Sequence, residues 1–363
     1  MISKVKFKNM TALAEYRNYL RKNPRLTYLF FELTDKCNLA CKHCGSSCSG
    51  KNSTFLDKKD IFKVIDGVYA EYGSNSIMIC LTGGEPLLHP EFFEIVDYIN
   101  KKGFVWGITS NATLIDEDFA KQLVENKMSS LAISLDGLKD THDNLRNSVG
   151  SFENTINGIN NLVNASKGKL NIMITSVIHK QNIHQLNDMM LLVESLNVNS
   201  WRVINLEPIG RANLHKELLL NKVDFKYLLD FIREKRFDKN IKTEVTFGCS
   251  HYVTPFYEHE VRGYYFLCGS GITVASILCN GDIYSCLDIE RIPELVQGNI
   301  KNDDFVEVWQ NKFKEFRQDR SELCEICKNC TDRLYCAGDS THTWNFHINE
   351  PQLCLKKLLC SEE

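Results

Sequence analysis

At 363 residues and a formal charge of −3, with 43 basic against 46 acidic side chains, the chain has no field strong enough to collect nucleic acid or an anionic membrane surface, and neither is expected as a partner. The first twenty residues lack the apolar core of a signal peptide and no run of about 18 apolar residues occurs, so a cytoplasmic location is expected. Fifteen cysteines, an odd number in a reducing compartment, point to metal or catalytic duty and away from a disulfide framework.

Such a length accommodates one large catalytic domain and a smaller one. Residues 1–26 read as a short N-terminal element, a helix packing on a barrel. From residue 27 short β-rich runs alternate with amphipathic helical stretches, the signature of βα units around a parallel sheet. Strands are predicted at 27–33, 76–82, 104–110, 129–135, 171–178 and 200–206, with helices at 57–72, 91–102, 115–127, 151–166 and 183–196 between them. Right-handed crossovers curl such a sheet into a partial (β/α)6 TIM-like barrel of α/β class, whose chemistry gathers at the C-terminal strand ends. Four polar motifs fall at those ends: a cysteine cluster after strand one, GGEP (83–86), TSNAT (109–113) and SLDG (134–137). The rhythm continues through a basic helix at 222–237 and then stops, so the barrel is expected to span 27–240 and a small cysteine-rich domain 241–363.

Cys37, Cys41 and Cys44 place three thiolates in one short loop, enough to ligate three irons of a [4Fe–4S] cube and leave the fourth open to a chelating ligand. Zinc is the competing reading, with Cys48 or His43 recruited from the same loop as fourth ligand. Cys48 reads either as a buried thiol or as a hydrogen-atom relay. Farther on, Cys268-x12-Gly281-x4-Cys286 reads as two ligands brought together by a hairpin turn at NGD (280–282). Cys327, Cys330 and Cys336, followed by Cys354, complete a four-thiolate set, with a zinc knuckle as the alternative.

The Cys37, Cys41, Cys44 spacing, with GGEP one βα unit later, resembles the radical S-adenosylmethionine (SAM) superfamily over roughly residues 27–212. The resemblance implies that the open iron binds the amino and carboxylate groups of SAM, and that an electron from the cluster cleaves the sulfonium to give a 5′-deoxyadenosyl radical. It carries SAM contacts onto Gly83, Gly84, Glu85 and Pro86 at the amino group, Ser134 and Asp136 at the ribose, and Arg146 at the methionine carboxylate. Asn111 of TSNAT joins this cofactor-binding set, and EPIGRA (207–212) is similar to the segment beside the adenine.

The later cysteines resemble the SPASM extension of anaerobic sulfatase maturases and peptide-modifying radical SAM enzymes, implying one or two auxiliary [4Fe–4S] clusters. Ser340 stands where that pattern has a cysteine ligand of the first auxiliary cluster. Cys249 is expected as the third ligand beside Cys268 and Cys286, with Cys279 and Cys324 as substitutes. By the same likeness the substrate is a ribosomally made precursor peptide, receiving a thioether or carbon–carbon crosslink or an epimerised residue. A formylglycine-forming sulfatase maturase, a dehydrogenase of a small alcohol or sugar, and a non-enzymatic zinc scaffold are the alternatives. Cys249, Cys48 and Cys279 are candidate hydrogen-atom donors, and Asp339, with His342 and His347, a candidate base. A flavodoxin- or ferredoxin-like electron donor is expected, as is a separate leader-peptide-binding protein, since residues 1–26 are too few to form one.

Overall fold

Alternating burial along each strand decides which way the sheet faces. The computed structural model describes residues 3–248 and 251–360, so Cys249 lies outside the described residues. β1 (Tyr28–Glu32), β2 (Met78–Thr82), β3 (Val105–Ser110), β4 (Ser130–Ser134), β5 (Asn171–Ile178) and β6 (Ser200–Asn205) pair in parallel in chain order. Between them run α2 (Lys58–Tyr72), α3 (Phe92–Lys101), α4 (Glu117–Glu125), α5 (Lys139–Arg146), α6 (Ser151–Ser166) and α7 (Leu186–Ser195), with α1 (Lys4–Lys22) ahead of β1 and α8 (Lys222–Phe237) after β6. This is the α/β partial barrel expected.

Leu29, Phe31, Ile79, Leu81, Leu131, Ile133, Trp201 and Val203 point to the helices and are fully buried with Ile61, Ile95, Leu123 and Ile159. Their alternates, among them Cys80, Thr82, Ala132, Ser134, Thr175 and Arg202, face the concave side and stay partly exposed. Several helix starts carry side-chain caps, such as Asp57 accepting from Lys59 N–H at 2.8 Å and the Asn221–Asp224 capping box of α8.

The sheet continues past the sixth strand. β7 (Glu244–Phe247) adds in parallel to β6, while β8 (Val274–Ile277) pairs in parallel with the far side of β1. β9 (Asp282–Tyr284) and β10 (Gly298–Asn299) follow antiparallel, completing ten strands in the order β10-β9-β8-β1-β2-β3-β4-β5-β6-β7. The NGD turn forms the β8–β9 hairpin, with Gly281 at φ +95° and its N–H bonded to the Leu278 carbonyl at 2.8 Å. α1 packs on the C-terminal region instead of the barrel: Met10 is buried with Tyr252 and Phe266, and Arg17 donates to the carbonyls of Leu334 and Tyr335. Among the described residues no helix is long and apolar enough to cross a membrane.

Candidate active site

The chain leaves β1 into a loop pinned by short bridges between Thr34 and Phe55 and between Lys36 and Ser49. Inside it Cys37, Cys41 and Cys48 are buried with Leu39, and Cys44 packs against them. The GGEP turn forms one wall. Gly84 N–H donates to the Thr34 carbonyl at 2.7 Å and Glu85 N–H to the Lys36 carbonyl at 2.9 Å. A Cβ on Gly84 would stand 2.3 Å from the Lys36 carbonyl oxygen, so only glycine permits this approach.

The opposite wall is the turn after β6. Arg211 donates from Nε to the Cys41 carbonyl at 2.7 Å, from Nη1 to the Cys48 carbonyl at 2.9 Å, and from its backbone N–H to the Cys44 carbonyl at 3.0 Å. A Cβ on Gly210, at φ +54°, would lie 2.3 Å from the Gly45 carbonyl oxygen. Sequence reasoning placed this segment beside the adenine and missed its grip on the cysteine loop; an Arg preceded by Gly was the visible signal.

Hydrogen bonding from the Cys48 thiol holds Cys44 down to about 6, against opposing burial, while Cys48 is pushed up by that same contact and by burial. Burial pushes Cys37 up to about 12. The four thiols thus share one pocket, with Cys44 the readiest thiolate.

Arg146, buried at the end of α5, reaches Cys41 Sγ with Nη1 at 3.6 Å and pairs with Asp136 through Nη2. Burial opposes its charge, yet Asp136 and Cys41 raise its pKa above the usual arginine value. Burial likewise opposes charge on Asp136, but Arg146, His43 and His142 hold it down to about 2. Its Oδ1 accepts from Val177 N–H at 2.8 Å, and the residue is fully buried. Asp136 is therefore employed in fixing Arg146 and β5, and of the two ribose candidates it is Ser134 that looks onto the concave face.

Glu85 also turns inward. Its carboxylate accepts from Ser110 Oγ at 2.8 Å, Asn111 N–H at 2.9 Å and Leu87 N–H at 3.3 Å, and burial raises it to about 7. It locks the GGEP turn to the end of β3 and caps the short helical turn begun by buried Pro86. Asn111 Nδ2 reaches Asn38 Oδ1 at 2.9 Å and Cys37 Sγ at 4.0 Å, which brings TSNAT to the cysteine loop.

In the C-terminal region burial and then Cys324, Cys354 and Cys330 push Cys327 up, and burial and then Asp339, Cys354 and Cys327 push Cys336 up, so these cysteines lie near one another. Cys324 hydrogen-bonds Cys327 and so sits with this set, while Cys279 lies beside Glu32, its N–H 3.2 Å from Oε2. Ser270 and Ser285 hydroxyls meet at 2.7 Å, bringing the segments of Cys268 and Cys286 together. Cys268 Sγ accepts from Thr341 N–H at 3.4 Å, so the Ser340 segment does lie against Cys268.

Asp339 does not stand free as a base. Its carboxylate accepts from the backbone N–H groups of Tyr252 and Ser340 and pairs with His251 Nδ1 at 2.9 Å, whose Nε2 meets Glu207 at 2.6 Å. Burial opposes charge on His251, but Glu207 and Asp339 hold it up at about 10. Burial pushes His342 down against the charges of Glu207, Asp288 and Asp339, and His347 is exposed.

These residues fit a cluster with a chelated ligand. Cys37, Cys41 and Cys44 crowd one loop with Cys48 beside them, and Arg146 Nε, Arg211 Nη2 and His43 Nδ1 are buried around it without hydrogen-bond partners. Among the described residues no three His, Cys, Asp or Glu side chains gather as around a single ion, where thiolate sulfurs lie about 4 Å apart. A four-iron cube spreads its ligands wider.

Residues 31–193 match the radical SAM superfamily, and residues 268–331 match the SPASM iron–sulfur cluster-binding domain. The chain is 30% identical to the AdoMet-dependent heme synthase of Methanosarcina barkeri, over 87% of this chain and 90% of that one. It is 27% identical to the mycofactocin maturase MftC of Mycobacterium ulcerans, over 81% and 77%. Its fold is that of Streptococcus suis SuiB bound to precursor peptide SuiA, with a TM-score of 0.69 at 17% identity over 91% of this chain and 74% of that one.

Proposed function

This chain belongs to the radical SAM superfamily and carries a SPASM cluster domain, and from that premise we propose that it modifies a ribosomally made precursor peptide by crosslinking or epimerisation. SAM and [4Fe–4S] clusters are its cofactors. In this reading Cys37, Cys41 and Cys44 hold the SAM-site cluster and Cys327, Cys330, Cys336 and Cys354 an auxiliary one, while Cys268 and Cys286 begin a second. The chemistry that cluster and SAM supply when bound is reductive cleavage of the sulfonium and abstraction of a substrate hydrogen atom. Gly83 and Gly84 bring the backbone close to the cysteine loop, Arg211 fixes its carbonyls, and Arg146 presents a cation beside Cys41.

The observation that carries the reading is the concave face, where Ser130, Ala132 and Ser134 are small and, with Cys80, Thr82, Thr175 and Arg202, stay partly exposed. Tyr28 and Val105, at its N-terminal end, are 45% and 51% exposed, so that end opens to solvent, and in this reading the concave face is a trough for an extended chain. SuiB, of the same fold, is known bound to a precursor peptide. A flavodoxin- or ferredoxin-like donor and a separate leader-binding protein belong to this proposal.

The test is anaerobic incubation of the reconstituted enzyme with SAM, reductant and the peptide encoded beside its gene in D2O, followed by mass spectrometry. Deuterium at a peptide carbon supports epimerisation, and loss of hydrogens supports an oxidative crosslink. An unchanged peptide despite SAM cleavage rejects the peptide reading. A tetrapyrrole substrate is the second reading, favoured by the 30% identity to a heme synthase along 90% of its length.

A further inference from the structure

Arg202 sits mid-strand in β6, on the concave face. Its Nε donates to the Thr175 hydroxyl at 3.2 Å, and among the described residues no carboxylate pairs with its guanidinium. Acidic side chains on the same face are engaged elsewhere: Glu244 of β7 lies 3.7 Å from Arg236, and Glu32 is held by Arg291 at 2.6 Å. Its lateral neighbours in the sheet, Thr175 and Thr246, are neutral.

While the trough is open, water solvates this cation. A substrate filling the trough strips that water away, and a buried unpaired guanidinium is strongly destabilising unless the incoming molecule brings an anion. The planar fork matches a carboxylate through two parallel hydrogen bonds. Ser134, Thr175 and Arg202 also share one row of the sheet, which sets Arg202 two strands, about 10 Å, from the position proposed for the SAM ribose. We propose that Arg202 binds a carboxylate of the substrate and so holds it beside the bond to be broken. This rests on the proposed reading that substrate enters the barrel, and not on the substrate being a peptide.

The test is anaerobic titration calorimetry of the reconstituted, SAM-loaded enzyme with two probe pairs. One is the neighbouring precursor peptide and the same peptide with its carboxylates converted to carboxamides; the other is hemin and hemin dimethyl ester. Wild type is expected to bind the acid of at least one pair about tenfold or more tightly than its blocked form, the scale of one charge-assisted hydrogen bond. Arg202→Gln is expected to lose that preference and Arg202→Lys to regain part of it, with iron per chain and melting midpoint confirming that both variants fold. The proposal is overturned if neither pair shows an acid preference abolished by Arg202→Gln, or if that variant weakens SAM binding by the same factor. An effect confined to hemin upholds Arg202 and rejects the peptide; a peptide modified equally well with and without its carboxylates does the reverse.

Discussion

At the scale of single residues, the site depends on backbone groups approaching closer than a side chain allows. Gly84→Ala would drive a methyl into the Lys36 carbonyl, where the contact is backbone on both sides and cannot relax by a rotamer change. The expected cost is about 1–3 kcal/mol in urea denaturation, with the cysteine loop displaced. Arg211 acts through carbonyls of the same loop. Arg211→Ala is expected to lower iron by about one four-iron cluster per chain while the iron of the C-terminal thiols persists. Loss of iron from both regions alike would show that Arg211 supports the whole fold and not this loop.

Among the helices and strands, the polar turn between α5 and α6 shows how a local cap fixes the site. Asp143 accepts from Gly150 N–H at 2.7 Å, Ser151 Oγ at 2.8 Å and Phe152 N–H at 2.7 Å, capping α6 from the helix that carries Arg146. Burial pushes its carboxyl up, but these donors win and hold it below the ordinary aspartate value. A depressed folded pKa means the contribution is complete above the unfolded value near 3.8 and is lost as pH falls through the folded one. Asp143→Asn is therefore expected to cost about 1 kcal/mol at pH 7, with the difference from wild type closing below pH about 4 in acid-denaturation curves. A difference constant down to pH 2 would count against the cap. This helix pair also marks where the sequence stopped being legible. Strands β1 to β6 showed themselves as short apolar, β-rich runs between amphipathic helical stretches, and the polar motifs that end several of them fell at the rim. α5, with Leu145 as its one large apolar residue, has no periodicity to read, and β8 gave no sign that it would pair with a strand some 250 residues earlier. The rim motifs were visible as motifs, but the inward turn of Glu85 and Asp136 follows from tertiary hydrogen bonds that no spacing reveals.

Taken as a whole, the molecule joins its two cysteine regions through one sheet and one core. β8 covers the edge of β1 that would otherwise stand open, and the residues buried around Phe31 and Ile79 belong to one cluster with those around Ile277, Trp309 and Phe316. Such continuity predicts a single cooperative unfolding transition. Arg291 offers the means to test it. Its guanidinium holds buried Glu32 at 2.6 Å and also reaches Ser46 in the cysteine loop, so it ties the C-terminal region to the end of β1. Arg291→Ala would leave the Glu32 carboxylate buried without its partner, at an expected cost of about 3 kcal/mol or more. Trp106 and Trp201 report on the barrel, while Trp309 and Trp344 report on the C-terminal region, and all four are buried. Replacing one pair or the other by Phe gives two fluorescence reporters of the same urea transition. Their midpoints are expected to coincide in the parent chain and to move together on Arg291→Ala. If the C-terminal reporter shifted while the barrel reporter stayed in place, the shared sheet would not couple the two regions, and the clusters of each would have to be treated as independently held.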